Sequence, residues 1–133
     1  MDRNKAEKLA RMTVKASSAP ACIAAIAVDN QPLATSKRIV IVYSTMVANS
    51  NLTLSPDRRV NIQSGHAPTL LRCGKLQMQI DRPVKGFKLY ALGFDGARRQ
   101  ELPLAKRDIV TDISIDTAAL QDGPTVFFEL TAE

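Results

Sequence analysis

The chain has 133 residues, 18 Lys and Arg against 13 Asp and Glu, one His, two Cys and no Trp, and a formal net charge of +5. A length within about 100–150 residues is that of one domain; it excludes a (β/α)₈ barrel, which needs about 250 residues, and any chemistry requiring that scaffold within this chain. At 45% hydrophobic and 23% charged residues, the chain is too apolar to stay disordered and should fold around one core.

Residues 1–11 contain good helix formers, with Glu7 four residues before Arg11, but their only apolar side chains after Met1 are Ala6, Leu9 and Ala10. They predict a short helix or arm ahead of a single domain over 12–133. Residues 12–15 (MTVK) then alternate with period two. Residues 19–28 (APACIAAIAV) resemble the core of a signal peptide, but Asp2 and Glu7 precede them and the run leads straight into Asp29-Asn30-Gln31-Pro32. That favours an uncleaved strand ending in a turn, with no export signal, and leaves localisation open. No run of about 20 apolar residues is present, so no membrane span is expected.

Residues 38–47 (RIVIVYSTMV) are the strongest strand signal in the chain. Leu52-Thr53-Leu54 precedes a Ser55-Pro56-Asp57-Arg58 turn, residues 60–63 resume an extended pattern, and Ser64-Gly65-His66-Ala67-Pro68 reads as another break. Residues 69–72 and 74–80 predict one long strand bulged at Gly74. After the turn at 81–86 come a strand at 87–92, a hairpin turn at Asp95-Gly96, a strand at 100–104, and another marked by Ile109, Ile113 and Ile115. Residues 116–124 predict a single helical turn capped by Asp116 and ended by Gly123-Pro124, and residues 125–131 (TVFFELT) a closing strand. About ten short strands with regular turn signals predict an all-β fold, an antiparallel β-sandwich of immunoglobulin-like or jelly-roll-like type.

The charge is unevenly distributed. Residues 1–107 hold all 18 basic residues and 7 acidic ones, +11, whereas residues 108–133 hold 6 acids and no base, −6. Ile113, Ile115, Phe127, Phe128 and Leu130 make that last segment too hydrophobic for a solvated tail, so its acids are expected on strands that neutralise the basic body.

Chemistry-bearing patterns are few. His66 is the only histidine and lies in a polar turn, which excludes a multi-histidine metal site and makes a nucleophile-histidine arrangement improbable. No G-x-S-x-G, P-loop or G-x-G-x-x-G sequence occurs, so no catalytic residue, cofactor or metal is expected. Asp57, Asp81, Asp95, Asp108, Asp112, Asp116 and Asp122 fall mostly in turns or at strand ends, where backbone hydrogen bonding explains them without a catalytic pair. Cys22 and Cys73 permit one disulfide or none; with no C-x-x-C and with apolar neighbours, they read as buried free thiols.

The doublets Lys37-Arg38, Arg58-Arg59, Arg98-Arg99 and Lys106-Arg107 would suit a phosphate backbone, but the aromatics sit mostly on core-type strands and leave few stacking platforms. Nucleic-acid binding is therefore not expected. A sugar-binding face also needs flat rings, and without tryptophan the candidates for glycan or partner contact are Tyr43 and Tyr90.

Residues 29–42 (DNQPLATSKRIVIV), followed by Ala48-Asn49-Ser50-Asn51-Leu52, resemble a recurrent pattern in the C-terminal β-sandwich modules of bacterial TIM-barrel glycoside hydrolases. Asn51 stands where that pattern usually has Gly, and Asn is the non-glycine residue that best tolerates a left-handed backbone. The likeness continues in order through residues 67–76 (APTLLRCGKL), 89–99 (LYALGFDGARR) and 116–128 (DTAALQDGPTVFF). It spans about residues 12–133, while 1–11 have no counterpart in it. The resemblance implies a non-catalytic accessory module, because the catalytic carboxylates of such enzymes belong to the barrel. Its expected partners are a catalytic barrel, in structural docking, and a weakly held glycan. The alternative is a protein–protein interaction domain or homodimer with no carbohydrate role, joined through an open edge strand or apolar face.

Overall fold

The computed structural model describes residues 7–9, 11–83, 85–107 and 109–132. Their strands are β1 (Glu7–Leu9), β2 (Met12–Ser17), β3 (Cys22–Ala27), β4 (Arg38–Ser44), β5 (Val47–Ser50), β6 (Thr53–Leu54), β7 (Asn61–Gln63), β8 (His66–Leu71), β9 (Lys75–Ile80), β10 (Phe87–Leu92), β11 (Arg98–Leu102), β12 (Ala105–Lys106), β13 (Thr111–Asp116) and β14 (Phe127–Ala132). All pairings are antiparallel. The first sheet runs β1-β2-β9-β13-β12 and the second β11-β10-β14-β4-β3; β5-β8 and β6-β7 form two small ribbons. The protein is all-β, as its period-two patterning predicts, and the two five-stranded sheets form a β-sandwich.

The core lies between those sheets. Met12 and Val14 of β2, Leu76, Met78 and Ile80 of β9, and Ile113 and Ile115 of β13 come from one side. Ile39, Ile41 and Tyr43 of β4, Leu89 and Ala91 of β10, and Phe128 and Leu130 of β14 come from the other. Each set recurs every second residue, which puts it on one face of its strand. The Tyr43 hydroxyl is hydrogen-bonded with that of Ser17 at 3.0 Å, so the buried phenol is satisfied across the two sheets.

The outward faces differ between the sheets. On the first sheet, Lys15, Gln77, Gln79, Asp112, Ser114 and Asp116 alternate with the core residues and make that face polar. On the second, β4 carries Val40 and Val42 between its core residues, and β3 is CIAAIA throughout. An antiparallel sheet with one solvated face commonly alternates apolar and polar residues, and these two strands depart from that alternation.

Four local expectations require correction. The helix expected within 1–11 meets a strand, since Glu7, Lys8 and Leu9 pair with Val14, Thr13 and Met12; residues 1–6 and 10 lie outside the described residues. The single strand expected across Gly74 is two strands in different sheets, β8 on β5 and β9 between β2 and β13. Gly74 marks a sheet change because a Cβ there would lie 2.5 Å from the Tyr43 hydroxyl, and because its N–H donates to Thr117 Oγ1. The break expected at 64–68 is confined to Ser64 and Gly65, the latter at φ +71°, and β8 begins at His66. Cys22 and Cys73 are free thiols but exposed, because Cys22 falls on the outward side of β3 and Cys73 in the connection before β9.

Other expectations hold. Asp116 caps a 3-10 turn over Thr117–Ala119 by accepting the Ala118 N–H, and Gly96 closes the β10-β11 hairpin at φ +80°. Asn51 has φ 60°, the left-handed conformation its glycine-like position implies. The charge split also becomes contact: Asp112 pairs with Lys15 and Arg107, Asp116 with Lys75, and Glu129 with Arg38 and Arg98. No described helix is long and apolar enough to cross a membrane.

Candidate docking face

The outer face of the second sheet can be laid out from its register. One row reads Ala24, Val42, Phe127; the next reads Ile26, Val40, Glu129, Tyr90, Glu101; a third holds Arg38, Thr131 and Lys88. Phe94, in the β10-β11 connection, extends the first row by setting its ring edge-on to Phe127, with centroids 6.2 Å apart and planes at 80°. Phe94 is 71% exposed and Ile26 50%, and Val28 beyond the end of β3 is also exposed. The result is an apolar strip on an outward sheet face, where a soluble sandwich usually alternates to polar residues.

One carboxylate interrupts the strip. Glu129 is 1% exposed and is held between two guanidinium groups, Arg38 Nε at 2.5 Å from one oxygen and Arg98 Nε at 2.6 Å from the other. Arg98 in turn lies over the Tyr90 ring, its Cζ 4.6 Å from the centroid. Burial pushes the Glu129 carboxyl up, but the hydrogen bonds and charges of Arg38 and Arg98 outweigh it and hold the group below its ordinary range. Glu129 is therefore a charged, saturated anchor on the face. A general acid needs a raised pKa, so Glu129 cannot act as one near neutral pH.

The two tyrosines singled out from sequence separate. Tyr43 is 1% exposed, with its ring in the core, so the expectation that it contacts a glycan is corrected: its parity along β4 places it with Ile39 and Ile41. Tyr90 is on the outer face, half-buried beneath Arg98, and lies in the same row as Glu129. The structure brings Tyr90 into the candidate face and removes Tyr43 from it.

Phe94 was assigned no site role from sequence. The signal that could have found it is its place beside the Asp95-Gly96 turn, beyond the alternating run of β10. It also borders an open cleft of about 410 Å³ whose lining includes Arg99, Gln100, Leu120 and Asp122. Two of those polar groups have partners on the protein: Arg99 Nη2 donates to Asp95 at 2.6 Å, and Gln100 Oε1 accepts the Gln121 N–H at 3.0 Å.

His66 is exposed at the start of β8, with Nε2 2.9 Å from Asn51 Nδ2 and Nδ1 2.7 Å from the Ala67 carbonyl oxygen. These contacts tie the β5-β8 ribbon to the Asn51 turn. Among the described residues no three His, Cys, Asp or Glu side chains cluster as a metal site. No protein family, curated protein or solved structure matches the chain.

Proposed function

We propose that this chain is a non-catalytic β-sandwich accessory module of the kind appended to bacterial barrel glycoside hydrolases, and that it works by docking its second sheet against a catalytic barrel. The observation that carries this reading is the asymmetry of the two outer faces. The outward face of the first sheet carries Lys, Gln, Ser and Asp, while the second presents Ala24, Ile26, Val40, Val42, Phe127 and Phe94 around the ion-paired Glu129. A flat apolar strip with a fixed polar centre suits a rigid neighbouring domain: apolar contact supplies affinity and the carboxylate–guanidinium cluster supplies register. Glycan contact is the secondary role, and Tyr90 and Phe94 are the rings that would serve it. The module performs no hydrolysis of its own.

The test is to express the barrel-type glycoside hydrolase encoded beside or in frame with this segment, with and without the chain. The barrel's Tm should rise by several degrees on addition of the chain, and a Phe94→Ala, Val42→Lys double variant should remove that gain while keeping its own fold. A genomic context without a barrel, or a barrel whose Tm ignores the chain, overturns the proposal.

A further inference from the structure

The four outer edges of the two sheets are not alike. Among the described residues, the edges of the first sheet are short, β1 with three residues and β12 with two. In the second, the β11 edge carries Arg98, Arg99 and Glu101. Short edges and charged edges are the usual protections against strand addition. The remaining edge, β3, has six residues, no charge and no proline.

Its backbone polarity follows from the ladder. The Val28 N–H donates to the Arg38 carbonyl, and β3 pairs Ile26 with Val40, Ala24 with Val42 and Cys22 with Ser44. Alternation in an antiparallel pair therefore turns the N–H and C=O groups of even-numbered residues toward β4 and those of Ile23, Ala25 and Ala27 toward the open edge. No described strand lies on that side.

We infer that β3 pairs antiparallel with β3 of a second copy of this chain, about a twofold axis at Ala25, joining the two second sheets into one continuous sheet. This goes beyond the accessory-module reading and does not depend on it. Three observations select a second copy as the occupant. The register is self-complementary in hydrogen bonding, since Ala25 meets Ala25 and Ile23 meets Ala27, all with outward-turned backbone groups. It is self-complementary in volume: Ile23 opposes Ala27 on the core side, and on the outer side Ile26 opposes Ala24 and Val28 opposes Cys22, a larger side chain against a smaller one each time.

It is also complementary in charge. The register brings Asp29, just past one end of β3 and already accepting hydrogen bonds from Ser36 Oγ and the Lys37 N–H of its own chain, opposite Ala21 of the second copy, so the charge term acts between the two ends and not as a formed ion pair. Ala21 and Cys22 share a surface cleft with Arg58 and Arg72, exposed cations without an ion pair among the described residues. The exposed Ile26 and Val28 would be covered at the same step.

Light scattering after size exclusion should give twice the monomer mass at about 100 µM protein. Ala25→Pro removes an N–H that faces the open edge and not β4, so it should convert the dimer to monomer with an unchanged circular dichroism spectrum. A second variant fixes the register independently of whether Ala25→Pro folds. In Val28→Cys, with Cys73→Ser, the introduced thiol faces Cys22 of the other copy in a non-hydrogen-bonded pair, whose Cα separation of about 4.5 Å admits a disulfide. Within one chain the two positions are about 20 Å apart along the strand and cannot be joined. Mild oxidation should give a covalent dimer linked through Cys22. A monomeric wild type at that concentration, a dimer that survives in folded Ala25→Pro, or failure to form the Cys22 crosslink overturns the inference.

Discussion

At the scale of single residues, Glu129 shows how a charge comes to lie on an apolar face. Its carboxylate is nearly inaccessible, and two arginines, each about half exposed, bridge it to water. Hydrogen bonds to charged groups contribute about 1.5–3 kcal/mol each, so Glu129→Gln should cost about 1–3 kcal/mol at pH 7, read as a lower urea midpoint. The carboxyl is held below its ordinary value of 4.5, so the unfolded chain binds the proton more tightly than the folded one. Its stabilisation is therefore complete above about pH 4.5 and lost as pH falls through the depressed folded value. The gap between wild type and Glu129→Gln should narrow on acidification from pH 5 to pH 3, and a gap constant over that range would contradict the assignment.

Gly74 makes the opposite point, that an absent atom can be structural. An added Cβ meets the Tyr43 hydroxyl at 2.5 Å and its ring carbon at 3.3 Å, on a side chain that is buried and bonded to Ser17. Gly74→Ala should destabilise by about 1–3 kcal/mol, the usual cost of overpacking, and thermal denaturation will read it. Nothing in the sequence around Gly74 distinguishes a bulge from a sheet change, because the partner that forbids a side chain is 31 positions away.

At the scale of elements, the strands were legible wherever alternation met a core. KLQMQI and TDISID announce one buried face each, and β9 and β13 deliver it. CIAAIA and RIVIVYS announce apolar residues on both faces, and only the register shows which set turns inward. The left-handed backbone at Asn51 is an expectation from the resemblance, which places Asn where that pattern usually has Gly, and the chain adopts it. At φ 60°, Asn51→Val should cost about 1–2 kcal/mol, whereas Asn51→Gly keeps the backbone and loses only the contact with His66. Equal destabilisation by both substitutions would show that the His66 contact, not the backbone, sets that turn. The ribbons β5-β8 and β6-β7 were less legible, since their residues are largely exposed and carry little periodic signal.

At the scale of the whole molecule, both sheets share one core, and Leu89 of β10 is fully buried in it. Leu89→Ala should cost about 2–5 kcal/mol and lower a single cooperative transition, with far-UV and near-UV signals still coincident. Separate transitions for the two sheets would mean that they fold independently. The net charge of +5 is also a property of the whole: five of the ion pairs join an acid from the last 26 residues to a base from the body, on the faces of both sheets.

The sequence by itself determined the all-β class, most strand positions, the capped turn at Asp116 and the internal neutralisation of charge. Each of these depends on local chemistry or on a period of two. Tertiary structure alone decided which face of each strand is buried, that Tyr43 belongs to the core while Tyr90 lies under Arg98, and that Phe94 stands exposed beside Phe127. It also decided that β3 ends a sheet. Those outcomes depend on which strands become neighbours, and strand pairing joins residues too far apart in the chain for local pattern to specify.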